Sequence, residues 1–118
     1  ELYMATAAEV FDHHLQSFAR GDLEEILLDY DEHSLMIYED RVWRGLAGAR
    51  AFFTLWLDEW LPSGSRFDLI DQQSVDDTVY LTWTAESAAY VYDFGTDTFV
   101  IKDSKVLRQT VATLRRRK

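Results

Sequence analysis

Apolar side chains recur with a helical period at the start of the chain. Ala7, Val10, Phe11, His14, Leu15 and Phe18 follow spacings of three and four, which predicts one buried stripe on a helix over residues 5–20. Glu9, His13, Gln16 and Arg20 fall on the opposite, solvent-facing side. Gly21 ends this helix, and Asp22 with Glu25 three residues on predicts the start of a short second one. Residues 34–38 and 41–44 read as strands turned at Glu39 and Asp40. Gly45 opens a third helix, with Leu46, Ala49, Phe53, Trp56, Leu57 and Trp60 on one face. Pro62, the only proline, sits in the clearest loop, residues 61–65. Beyond it the period changes to two, predicting strands over 66–73, 78–86, 88–102 and 105–114. Asp76-Asp77 and Asp103-Ser104 are hairpin turns between them.

Helices followed by consecutive strands predict an α+β fold rather than α/β. The length fits a single domain over residues 1–118, with 1–4 and 115–118 expected to be frayed ends and Met4 the natural start. In the strand over 78–86, Val79, Leu81, Trp83 and Ala85 alternate with Tyr80, Thr82 and Thr84. The next strand carries Asp97, Phe99 and Ile101 on one face and Tyr90, Tyr92, Phe94 and Val100 on the other. A strand apolar on both faces is covered on both. The helices supply one cover; a second copy of the chain is expected to supply the other, giving a homodimer.

Composition narrows the function classes. The chain is 14% aromatic with four tryptophans, which favours a ring-lined cavity for a small hydrophobic molecule. It has no cysteine, so it holds no disulfide, no thiolate metal site and no cysteine nucleophile. With no apolar run of bilayer length and no visible signal peptide, a cytoplasmic setting without membrane association is expected. The net charge is −9 although Arg115, Arg116, Arg117 and Lys118 are all basic, so the body is more acidic still. Such a surface repels phosphate backbones and argues against nucleic-acid binding. The acidic cluster Asp22, Glu24, Glu25, Asp29, Asp31 and Glu32 reads as a solvated helix face and loop.

Two residues stand out chemically. His14 lies on the buried stripe, where it is either a satisfied core imidazole or a cavity group. Asp97 shares a strand face with Phe99 and Ile101, where a carboxylate must be paired, protonated or wet. Its partner would be His14, Tyr38 or Gln109. A His–Asp pair in an apolar pocket is a general acid/base arrangement, and the structural and catalytic readings differ only in ligand access. Trp43, Phe53, Trp56, Trp60, Phe67 and Trp83 are core rings whose number also suits a pocket for a flat apolar molecule, with Phe18 and Phe99 beside them. His13 and His14 point about 100° apart on a helix, so they do not share a metal ion. No phosphate loop or dinucleotide fingerprint is present, and no cofactor is expected.

The order of elements resembles the nuclear transport factor 2-like superfamily, which includes ketosteroid isomerases and SnoaL-like polyketide cyclases. The resemblance is carried by the run from His14 through Gly21-Asp22-Leu23, by Arg44-Gly45, and by the run from Gly95 to Ile101 with Lys105-Val106 after it. It covers nearly the whole chain and is more specific for fold than for chemistry. It implies a curved, cone-shaped antiparallel sheet wrapped around helices to enclose a pocket. It also implies a dimer through the sheet, and it turns Gln109, Val111 and Thr113 inward. The isomerase pattern places an oxyanion-hole tyrosine where this chain has His14, a base aspartate where it has Tyr38, and an oxyanion-hole carboxylic acid where it has Asp97. Without the base aspartate, steroid isomerisation is not expected, because a phenol is a poor proton acceptor near neutral pH. The implied roles are His14 as acid/base, Asp97 as its partner or a hydrogen-bond donor, and Tyr38 as an oxyanion or orienting donor. Gln109 would orient a ligand. Isomerisation, cyclisation or hydrolysis on a small apolar substrate is the reading this favours; a non-catalytic binding or assembly module is the alternative.

Overall fold

The computed structural model describes residues 5–118; the expectations for residues 1–4, including the start at Met4, lie outside it. Helix α1 spans Ala7–Ala19. Thr6 caps it, accepting from Glu9 N at 3.1 Å while Glu9 accepts from Thr6 N at 2.8 Å, so two orphan donors are satisfied reciprocally. Gly21 ends it at φ 68°. A side chain there would also collide with Ser63, whose Cβ lies 2.9 Å from the place a Cβ would occupy. Asp22 caps α2 (Leu23–Leu27) by accepting from Glu25 N.

Strands β1 (Leu35–Tyr38) and β2 (Arg41–Arg44) form the short hairpin. Helix α3 spans Gly45–Leu55 and ends in a π-helical turn, Trp56–Trp60, closed by Leu61 N donating to Trp56 O at 2.7 Å. Trp56 and Trp60, four residues apart, are both buried on its inner face. Leu46, expected on the buried face, is exposed, and Phe52 is buried in its stead. Strands β3 (Arg66–Val75), β4 (Thr78–Glu86), β5 (Tyr90–Lys102) and β6 (Lys105–Arg117) follow as an antiparallel meander.

The six strands make one curved, unclosed sheet in the order β2-β1-β6-β5-β4-β3, with β1 parallel to β6. This is the expected α+β architecture. Met36, Val79, Leu81, Phe99, Ile101 and Val106 bury the concave face against the helices.

Two expectations are corrected. Strand β5 carries an extra residue at Asp93, where its registers with β4 and β6 both shift. The bulge inverts the alternation. Tyr92, and with it Tyr90 two residues away, therefore lie on the concave side, and Tyr92 is buried, donating to Trp60 O at 2.5 Å. Only Phe94 and Val100 of the four expected residues remain on the outer face. The second correction concerns the C-terminus. Residues 115–117 are strand, not a frayed end, and are anchored by Arg116 to Asp93 at 2.8 Å and Arg117 to the Tyr90 hydroxyl at 2.9 Å. Lys118 reaches Glu86 at 2.6 Å.

Candidate functional site

A cavity of about 50 Å³ lies between α1, the end of α3 and the concave face of the sheet. Its walls are rings, chiefly Phe18, Phe53, Trp56, Trp83 and Phe99, and its polar lining is His14, Asp97 and Gln109. The helical period of α1 delivers His14. The parity of β5 beyond the bulge delivers Asp97, and β6 brings Gln109 beside it, with Phe99 opposite Gln109 in register.

Asp97 is paired, as a buried carboxylate must be. Its Oδ1 accepts from Trp83 Nε1 at 2.8 Å, and its Oδ2 accepts from Gln109 Nε2 at 3.0 Å. Burial pushes its pKa up to about 6, and these two hydrogen bonds oppose the shift. Trp83 can reach it because Gly95 has no side chain. A Cβ at Gly95 would stand 2.3 Å from Trp83 Cε2.

His14 and Asp97 do not bond directly. Tyr30, which the sequence reading missed, stands between them: its hydroxyl donates to Gln109 Oε1 and lies 3.5 Å from His14 Nδ1. Tyr30 is buried between α2 and β1, and burial raises its pKa well above the usual phenol range. His14 packs edge-on against Phe53 and Phe99, with ring centroids 5.4 and 5.1 Å away. Burial, reinforced by the charge of His13, holds its pKa near 3, so it is a neutral imidazole near neutral pH. This inverts the roles expected for the pair, because Asp97 is the group that titrates close to neutrality.

Tyr38 is buried but does not line this cavity. Its hydroxyl meets Thr113 Oγ1 at 2.8 Å, and its ring packs on Trp56 and Trp60. Trp43 is also outside, tilted against Phe52 with ring centroids 4.8 Å apart, and the Arg41 guanidinium lies over its ring. Val111 is buried on the same strand face as Gln109 but beyond the cavity wall.

His13 is not simply solvated. It is half-buried, with Nδ1 2.6 Å from Asp29 and Nε2 2.9 Å from Glu25, which tie α1 to α2 and the segment after it. Those hydrogen bonds, Glu25 first and then Asp29, raise its pKa. Asp29 is itself buried, so the acidic cluster is a structural anchor in part. Among the described residues, no group of three or more His, Asp or Glu side chains is arranged to hold a metal ion.

No family model matches the chain, and no curated protein matches it in sequence. Solved structures match it closely in shape. A nuclear transport factor 2-like protein of unknown function from Burkholderia xenovorans superposes with a TM-score of 0.72 at 16% identity, over 91% of this chain and 81% of that one. The fold is nuclear transport factor 2-like. A candidate ketosteroid isomerase from Kribbella flavida matches this fold with a TM-score of 0.73 at 14% identity, covering 93% and 80% of the two chains. A candidate polyketide cyclase from Sinorhizobium meliloti matches with a TM-score of 0.70 at 9% identity, covering 87% and 93%. These likenesses carry architecture and leave chemistry to the site itself.

Proposed function

We propose that this nuclear transport factor 2-like protein binds a small, largely apolar molecule and exchanges a proton with it through Asp97, without a cofactor. The observation that carries this reading is a buried carboxyl, with a pKa of about 6, lining a cavity otherwise walled by rings. A carboxyl in that range both gives and takes a proton near neutrality, which suits isomerase-, cyclase- or hydrolase-type steps. His14, neutral, orients the reacting group.

The cavity alone is smaller than the roughly 150 Å³ that admits a benzene ring. It shares Leu15, Phe18, Leu61 and Phe67 with an outer groove of about 220 Å³ under the loop at 61–65. The reacting end of a ligand would enter the inner cavity while its body lies in that groove. A steroid is far too large for the inner space, and Tyr38 offers no base there.

The test is titration with toluene and p-cresol, followed by amide and aromatic shifts. Saturable binding that perturbs Phe18, Phe53 and Trp83 is expected. No perturbation by either probe would defeat the reading, as would efficient enone formation from a β,γ-unsaturated ketosteroid. A second reading, a non-catalytic module, is favoured by one observation: Trp83 and Gln109 already satisfy both oxygens of Asp97. Proton exchange at the cavity, followed by solvent deuterium incorporation into a bound enolisable ketone, separates the two.

We also propose a homodimer through the outer sheet face. Val42, Ile37, Thr110, Thr98 and Tyr80 form one uncharged row across five strands, with Phe94 and Leu114 paired beside it. Val42, Ile37, Phe94 and Leu114 are 52%, 37%, 42% and 66% exposed, an apolar surface that a second copy would cover. A cytoplasmic setting accords with the lack of cysteine; no helix among the described residues is long and apolar enough to cross a membrane.

A further inference from the structure

The polar groups at the inner end of the cavity form one chain with a direction. An ionised carboxylate only accepts, so Asp97 demands the amide nitrogen of Gln109, which is 3.0 Å from Oδ2. The amide then turns its oxygen to Tyr30, whose hydroxyl donates to it. With that proton committed, the Tyr30 oxygen has only lone pairs to offer His14, 3.5 Å away at Nδ1. Nδ1 must therefore carry the imidazole proton. Nε2, which has no protein partner among the described residues, is left as a lone pair on a ring that lines the cavity.

Every link in this chain can reverse. Trp83 Nε1 is a donor only, so it holds Oδ1 as an acceptor whatever happens at the other oxygen. If Oδ2 gains a proton, it becomes a donor to Gln109. The amide flips, its nitrogen donates to the Tyr30 oxygen, Tyr30 donates to Nδ1, and the imidazole proton moves to Nε2. We propose that Asp97, acting through Gln109 and Tyr30, decides which nitrogen of His14 carries the proton, and so whether His14 shows the cavity an acceptor or a donor. Tyr30 and Gln109 are then positioning residues, coupled so that Asp97 and His14 change polarity together. The inference deepens the proposed proton exchange and rests on it for its purpose, but not for its test.

His13 and Asp29 act on His14 and Tyr30 through space alone, and the one charged group hydrogen-bonded into the chain is Asp97. His14 faces it from α1, Tyr30 from the segment after α2 and Tyr38 from β1, while α3 contributes only the uncharged rings of Phe53 and Trp56. Burial keeps all three of those titratable groups neutral around neutral pH.

The experiment is long-range proton–nitrogen correlation of the histidine rings in the ligand-free protein, in mildly alkaline buffer. His13 and His33 serve as internal references. The wild type is expected to show His14 protonated at Nδ1. Asp97→Asn, which must turn its amide nitrogen to Gln109 because Trp83 donates to the other side, is expected to show His14 protonated at Nε2. Tyr30→Phe removes the link, so Asp97→Asn no longer moves the tautomer in that background. Wild-type His14 protonated at Nε2 would overturn the proposal. So would Asp97→Asn leaving the proton on Nδ1, or Tyr30→Phe leaving the response intact. Should Asp97→Asn fold poorly, acid titration of the wild type replaces it: the tautomer must exchange as Asp97 protonates, near pH 6, and a constant tautomer there overturns the proposal. The spectra need no ligand, so failure of toluene and p-cresol to bind would sink the proposed function and leave this result standing.

Discussion

Adding one methyl group at Gly95 tests how the site is built. The new Cβ would stand 2.3, 2.5 and 2.6 Å from Trp83 Cε2, Cζ2 and Cδ2, against about 3.5–4.0 Å for ordinary carbon contact. The indole must move by about 1 Å or more. It is backed by Phe67 and Tyr92, with ring centroids 5.4 and 5.5 Å away, so little free space receives it. Overpacking of this kind costs about 1–3 kcal/mol. The displaced indole also withdraws Nε1–H from Asp97, and a lost hydrogen bond to a charged group costs about 1.5–3 kcal/mol. Gly95→Ala is therefore expected to destabilise the fold by about 3–5 kcal/mol. At about 2.1 cal/mol/K per residue, the unfolding entropy of this chain is about 250 cal/mol/K, so the melting temperature should fall by about 12–20 °C. Thermal and urea unfolding followed by circular dichroism measure it. In a Trp83→Leu background the same substitution should cost at least about 1 kcal/mol less, because the two residues no longer collide. A melt within about 3 °C of wild type, or full additivity in the double variant, would refute the argument that Gly95 exists to admit Trp83.

Asp97 has a raised pKa, so the folded state binds its proton more tightly than the unfolded chain, and stability falls as pH rises from about 4 to about 6. A shift of about 2 units corresponds to about 3 kcal/mol, so Asp97→Asn should gain about that much relative to wild type between those limits in urea titrations; a pH-independent difference would contradict this. His13 acts in the same direction, in a higher pH range. Its pKa is raised by Glu25 and Asp29, so its contribution is complete below pH 6.5 and is lost as pH rises through the folded-state pKa. The stability deficit of His13→Gln should accordingly shrink on going alkaline, and a deficit that grows would be the wrong sign. For the outer face, sedimentation should give twice 13.8 kDa for the wild type, and Phe94→Glu should give a monomer with unchanged circular dichroism. A wild-type monomer at micromolar concentration would remove the dimer.

Residues whose neighbours share a period were legible in the sequence. His14 stood on a stripe with Val10, Phe11 and Phe18, and the helix could turn only one way. Asp97 was readable because Phe99 and Ile101 set its parity. Tyr92 was misplaced because alternation was counted across Asp93, and a bulge leaves no mark in composition. Tyr30 was missed because it sits alone between α2 and β1, with no repeat to orient it. Tyr38 does point inward, but its hydroxyl lies at the Thr113 level of β6 rather than the Gln109 level, a distance along the strand that parity cannot report. His13 was placed in solvent because the period of one helix says nothing about the acidic residues a second helix brings to it.

The parallel pairing of β1 with β6 has a consequence for the order of assembly. Leu35 lies opposite Arg108 and Tyr38 opposite Val111, so this seam joins segments about seventy residues apart, whereas β3 to β6 zip through consecutive hairpins. Closing the long loop carries an entropic cost that the hairpins avoid, so the meander should form first and the N-terminal half should dock onto it afterwards. Trp83, Asp97 and Gln109 belong to the early half; His14 and Tyr30 arrive with the late one. In native-state hydrogen exchange, the amides paired between β4 and β5 should then outlast those of β1 and α1. When the molecule breathes, it should part along that seam, separating the imidazole and the phenol from the carboxylate and the amide.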